Sequence, residues 1–271
     1  MGQDYKDRIF LATFSENAPK TAFKYGYGVE INDLCVSNWM NDRLLERTIR
    51  SITREISHGY GITPEEAAAG RCPRKVIMHG PFTELTPCAM DDLVIEHMRF
   101  RYRQAVEICQ RFGIRDLVLH SGFIPLMYHK SWHLERSVKF WQSFSEELPE
   151  GFTVYVENVF EDEPYLLRDV VKETNRPNIR ACLDVGHANA MGSAELPPEE
   201  WVRVLAPYLG HFHIHNNDGH DDQHRDVDDG TMDMKKVLDT IGECCAPEVT
   251  LTVESRRSEP SAAYLKKYFE G

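Results

Sequence analysis

Residues 153–158 read TVYVEN and residues 251–255 read LTVES. Each is a short run of β-branched and aromatic residues that ends on a carboxylate beside polar residues, the pattern of a buried strand stopping at a functional loop. The arrangement recurs as VIMHG at 76–80, LVLHSG at 117–122, CLDVGH at 182–187 and HIHNND at 213–218. Working outward, eight segments read as strands: 8–14, 27–32, 75–80, 116–121, 153–158, 179–185, 210–216 and 249–255. Between them lie stretches with apolar residues near a 3.6-residue spacing, at 41–56, 91–112, 135–148, 163–173, 198–209, 232–244 and 260–269. In 41–56, for example, Leu44, Leu45, Ile49 and Ile52 fall together. The first crossover, 18–25, is shorter and weaker, and 58–73 and 122–132 read as long loops. Strands alternating with helices give a parallel sheet, and eight such units close on themselves. The expected fold is α/β, a single (β/α)8 TIM barrel spanning 1–271 as one domain.

Composition narrows the function. The chain has 271 residues, 42% hydrophobic and 27% charged, in the usual range for a globular protein with a sizeable core. Lys and Arg total 31 against 43 Asp and Glu, a net charge of -12, which argues against unassisted nucleic-acid binding. The seven cysteines, Cys35, Cys72, Cys88, Cys109, Cys182, Cys244 and Cys245, are odd in number and form no CxxC pair. A reducing, cytoplasmic setting fits them better than a disulfide framework. The N-terminus lacks the apolar core of a signal peptide, and no run approaches the ~18 apolar residues of a membrane span.

The chemistry lies in where His, Asp and Glu fall. His79 ends the third strand, His120 the fourth, Glu157 the fifth, Asp184 the sixth, His215 the seventh and Glu254 the eighth, with His187 in the loop after the sixth. Side chains alternate across a strand, so Val118 and His120 share a face, as do Tyr155 and Glu157, and Thr250, Thr252 and Glu254. If these faces point inward, six strand ends converge at the carboxyl end of a barrel, where barrel active sites form. Carboxylates gathered there repel one another unless a cation joins them, and a mixed His and carboxylate set suits Zn²⁺, Mn²⁺ or Fe²⁺ better than Ca²⁺.

A second acidic cluster, 216–230, contains Asp222 and His224, which with His187 could hold a further ion; His220, Asp221 and Asp226 compete for that role. His211 and His213 share parity with His215 and read as deeper, hydrogen-bonded interior residues.

Taken in order, HGPF, LVLHSG, VENVFEDE, CLDVGHANA, HIHNND, DDQH and LTVES resemble the xylose-isomerase-like barrels, which include sugar-phosphate isomerases and epimerases and the endonuclease IV type of AP endonuclease. The resemblance covers nearly the whole chain. It implies one to three divalent ions per chain. A single-ion quartet would map to Glu157, Asp184, His215 and Glu254. The zinc-rich branch would add His79 and His120, sharing Glu157, and then His187, Asp222 and His224. It further implies an isomerase or epimerase acting on a sugar or sugar phosphate, with a metal-stabilised enediolate and Glu157 and Glu254 as the acid/base pair. The alternative is a multinuclear zinc phosphoesterase. Arg256 and Arg257, after the eighth strand, are candidates for a substrate phosphate, with Arg225 nearby. Phe82 and Trp132, with Phe123 and Tyr128, are candidates for an apolar wall against the substrate.

Overall fold

The computed structural model describes residues 3–71, 76–193 and 195–271. Eight parallel strands form a closed barrel in the order β1 to β8: β1 (Ile9–Ala12), β2 (Gly28–Ile31), β3 (Ile77–His79), β4 (Asp116–His120), β5 (Thr153–Glu157), β6 (Ile179–Asp184), β7 (Leu209–Ile214) and β8 (Thr250–Val253). They are shorter than the sequence suggests because the apolar runs continue past the last ladder bond. The start of the third strand at Lys75, the end of the 58–73 loop and Cys72 lie outside the described residues.

Helices wrap the sheet: α1 (Ala18–Tyr25), α2 (Asp42–Tyr60), α3 (Pro64–Ala68), α4 (Asp92–Arg111), α5 (Lys130–Ser145), α6 (Tyr165–Thr174), α7 (Val185–Met191), α8 (Pro198–Leu205), α9 (Met234–Cys244) and α10 (Ser258–Glu270). The weak crossover is a full helix, α1, closed by left-handed Gly26. Two expected loops are partly helical. Helix α2 runs on to Tyr60 and α3 follows, opened by a capping box between Thr63 and Glu66. Helix α5 starts at Lys130 and so takes the end of the 122–132 segment.

The main core lies between sheet and helices, where Trp141, Trp201, Phe144 and Phe212 are buried. The other strand face fills the barrel: Phe10, Ile77, Val118, Tyr155 and Cys182 pack together on the axis. This apolar plug forms a floor beneath the polar strand ends. In register, His120 lies opposite Glu157, Asp184 opposite His213 and His213 opposite Thr252. Two residues further along β4, β5 and β6, the inward face that carries Val118, Tyr155 and Cys182 carries His120, Glu157 and Asp184. The described cysteines are free. Among the described residues no helix is long and apolar enough to cross a membrane.

Candidate metal centre

Three groups of side chains meet at the carboxyl end of the barrel, and two carboxylates link them. In the first, Nε2 of His79 and Nε2 of His120 lie 3.3 and 3.5 Å from Oε2 of Glu157. That oxygen is buried yet makes no hydrogen bond, so the two rings approach it without donating to it. Phe82 caps this group, stacked on His120 at 4.2 Å and edge-on to His79 at 5.6 Å.

The second group is central. Nδ1 of His213 lies 3.2 Å from Oε1 of Glu157, 3.5 Å from Oε2 of Glu254 and 3.9 Å from Oδ2 of Asp184. It too is buried without a hydrogen bond. The ring of His213, read from the sequence as a deeper, hydrogen-bonded interior residue, faces three carboxylates. The ring of His215, the imidazole expected in this quartet, reaches only Asp184 among these carboxylates, at 3.1 Å. β7 ends at Ile214, and the His215 ring turns toward α7.

There it joins the third group, His187, His215, Asp222 and His224. Asp222 lies 3.3 Å from Nε2 of His187, 3.6 Å from Nε2 of His215 and 3.1 Å from Nε2 of His224. Asp184 ties this group to the central one, because Nε2 of His215 is 3.1 Å from its Oδ1. Asp184 also accepts from the His187 amide at 2.7 Å and so caps α7, a short helix not expected from the sequence. The 216–225 loop returns over the barrel because Asn216 and Arg225 exchange backbone hydrogen bonds. The buried Asn216 amide braces it through Val227 and Met232.

The chemistry of the donors argues for cations. Nδ1 of His79 faces the carbonyl oxygen of Gly80 at 3.0 Å, Nδ1 of His187 that of Asn158 at 2.9 Å, and Nδ1 of His224 that of Glu254 at 2.7 Å. A carbonyl only accepts, so each Nδ1 carries the proton. Nε2 of each ring then faces a carboxylate oxygen a little over 3 Å away. Two electron pairs facing each other are repulsive unless a proton or a metal ion lies between them. Such a carbonyl partner behind a ring is what orients a metal-ligating histidine.

The protonation tendencies carry the same message. Burial opposes charge on His79, but Cys35 and Glu157 beside it hold its pKa well above the ordinary value. Burial likewise opposes charge on His187, which Asp184 and Asp222 outweigh. His224 is raised to about 9 against its burial, chiefly by Asp222. His120, buried among other imidazoles, falls to about 3. For Glu157, burial is outweighed by His213 and His120 and the pKa lies well below the usual range, whereas burial dominates at Glu254 and raises it.

Other sequence candidates lie elsewhere. His220 and Asp221 are exposed, their amides bonded to Asp218. Asp226 is buried and pairs with Arg257. Arg256 and Arg257 are exposed and, with Arg225 and His224, line a cavity of about 410 Å³ at the rim. Trp132 is tied down on α5, its indole donating to the Cys88 carbonyl at 2.9 Å. Phe123 and Tyr128 line a groove of about 600 Å³ with Met127, Phe160 and Met191. Sequence reasoning missed Glu30, a fully buried carboxylate on β2 that contacts His211 and His213. The available signal was a charge inside GVEI, flanked by residues of a strand buried on both faces.

The family model described as xylose isomerase-like TIM barrel matches residues 66–269. An uncharacterized protein of Methanocaldococcus jannaschii is 28% identical over 212 residues, covering 72% of this chain and 70% of its own. A D-tagatose 3-epimerase-like protein superposes with a TM-score of 0.72 at 21% identity, covering 97% of both chains. The TTHB071 protein of Thermus thermophilus, soaked with ZnCl2, superposes with a TM-score of 0.70 at 22% identity, covering 97% of this chain and 99% of that one. The structural likenesses carry the fold; the family match carries membership, and the chain belongs to the xylose isomerase-like TIM barrel family.

Proposed function

We propose that this chain, as a member of that family, is a divalent-metal-dependent isomerase or epimerase of a sugar or sugar phosphate. The ligands would be His79, His120, Glu157, Asp184, His187, His213, His215, Asp222, His224 and Glu254, and Glu157 and Glu254 would move the proton. The observation that carries the reading is the central group: two buried carboxylates, on β5 and just beyond β8, flank one imidazole nitrogen at 3.2 and 3.5 Å.

A bound Zn²⁺ or Mn²⁺ supplies Lewis acidity to a substrate carbonyl and acidifies the carbon beside it. The residues do the rest. Glu157 takes the α-proton. Glu254 returns a proton to the other side of the enediolate. Phe82 shields the His79 and His120 edge from water. The arginines at the rim would accept a phosphate.

Phosphoester hydrolysis is the second reading, favoured by the outer groups: Glu157 faces both the first and the central group, and Asp184 both the central and the third, as a multinuclear site needs. One experiment separates them. The metal-loaded protein is incubated in D2O with free and phosphorylated ketoses, and separately with a phosphodiester. Deuterium entering the carbon beside the carbonyl supports the isomerase; phosphodiester cleavage with no exchange on any ketose supports the hydrolase and overturns the first reading.

A further inference from the structure

We propose that Glu30 is the positioning residue of the central site, fixing through Nε2 of His213 the tautomer and orientation that turn His213 Nδ1 toward Glu157, Asp184 and Glu254. The inference rests on the metal-centre reading above.

Glu30 is fully buried on β2, where an ionised carboxylate must be met by donors. It is. Oε1 lies 3.1 Å from Nε2 of His213. Oε2 lies 3.2 Å from Nε2 of His211 and accepts from the Thr252 hydroxyl. Nδ1 of His211 in turn lies 2.7 Å from the Thr250 hydroxyl. An ionised carboxylate only accepts, so the protons are assigned. His213 carries its proton on Nε2 toward Glu30, His211 carries its own on Nε2 between Glu30 and the Thr252 hydroxyl 3.0 Å away, and Thr252 gives its proton to Glu30. Charge-assisted bonds of this kind hold the carboxylate ionised despite its burial.

The consequence falls on His213. With its proton on Nε2, its lone pair is on Nδ1, the buried atom without a hydrogen bond that faces three carboxylates. That arrangement fits a cation between them. Without the Glu30 carboxylate the proton can move to Nδ1 and bond to Glu157, which fills the place of the ion. In this proposal Glu30 acts through His213 rather than as a ligand, with His211 and Thr252 holding it in line.

The test measures Zn²⁺ affinity of the full chain by competition with a chromophoric chelator, for wild type, Glu30→Gln and Thr252→Val, with circular dichroism as a check on folding. Glu30→Gln is expected to bind the central ion about 10–100-fold more weakly, and Thr252→Val to lose less, in the same direction. In zinc-loaded, ¹⁵N-histidine-labelled wild type, the resonances lost in His213→Asn are expected to show a protonated Nε2 and a metal-bound Nδ1. This readout needs no folded Glu30 variant, and a merely structural role would not fix it. Unchanged affinity in a folded Glu30→Gln protein, or a proton on Nδ1 in the zinc-loaded wild type, overturns the role of Glu30 and leaves the metal reading standing. A wild type that binds no zinc overturns both.

Discussion

Gly186 sits on the first turn of α7, and a Cβ built there falls 2.0 Å from Cε1 of His215 and 2.3 and 2.4 Å from its two ring nitrogens. Real Cβ contacts are rarely shorter than about 3.4 Å, so Gly186→Ala drives the ring back by roughly 1.4 Å, the sort of overpacking that costs about 1–3 kcal/mol. Replacing a helical glycine returns up to about 1 kcal/mol. The net is a destabilisation of about 1–2 kcal/mol, which for a chain of this size lowers Tm by a few degrees, about 2–4 °C per kcal/mol. Binding should suffer more than stability. His215 is fully buried, stacked on His224 at 4.0 Å, and its Nε2 is 3.1 Å from Asp184. A ring displaced that far no longer points at the third group, and zinc affinity there should fall by at least about 10-fold, the scale seen when an orienting contact is lost. Gly242→Ala is the control, because its Cβ meets nothing within 4 Å; it should leave zinc binding alone and hold or raise Tm. The assay is thermal unfolding of metal-free protein together with chelator competition. If Gly186→Ala binds zinc like wild type and melts no lower, the packing of His215 against α7 is wrongly described.

Three further outcomes are expected. Burial lowers the pKa of His133 to about 4, whereas an unfolded histidine titrates near 6.5. The unfolded chain therefore binds the extra proton as pH falls from 6.5 to 4, and stability is lost over that window, about 3 kcal/mol in all. His133→Phe should gain that much on wild type between pH 7 and pH 4 in urea unfolding; parallel pH profiles would refute it. Asn216→Ala removes the amide bonds to Val227 and Met232 and leaves buried carbonyls unmet, at about 2–3 kcal/mol; it should also weaken the third ion group in chelator competition, and an unaffected 216–225 loop would show the brace is dispensable. Glu254→Gln should slow deuterium exchange on an accepted ketose by at least about 100-fold, the scale of a lost acid or base, and an unimpaired rate would remove Glu254 from proton transfer.

The barrel was legible because its strands are buried on both faces and end on polar residues, so each apolar run is a separate signal. Helix α5 begins earlier than its amphipathic pattern because Lys130, Ser131 and Trp132 turn within it without adding to the apolar stripe. Helix α7 is hidden in the sequence because its start signal, Asp184, also reads as a ligand; the same carboxylate caps the helix. The alternating HFHIH run fixes that His211, His213 and His215 share one parity, but not which of them the strand carries to the axis. That depends on where β7 ends and on the space left by Gly186, both tertiary facts. Glu30 is more than 180 positions away from the histidines it holds, and no local pattern links them.

The most direct test of the metal centre is ion content. Protein prepared without a His-tag is stripped with a chelator, reloaded with excess zinc, desalted and assayed by elemental analysis beside His120→Ala and His224→Ala, each checked for folding. The expected result is more than one zinc per wild-type chain, with about one fewer in each variant, from the first and third groups respectively. A wild-type chain that retains no zinc above background would contradict the account.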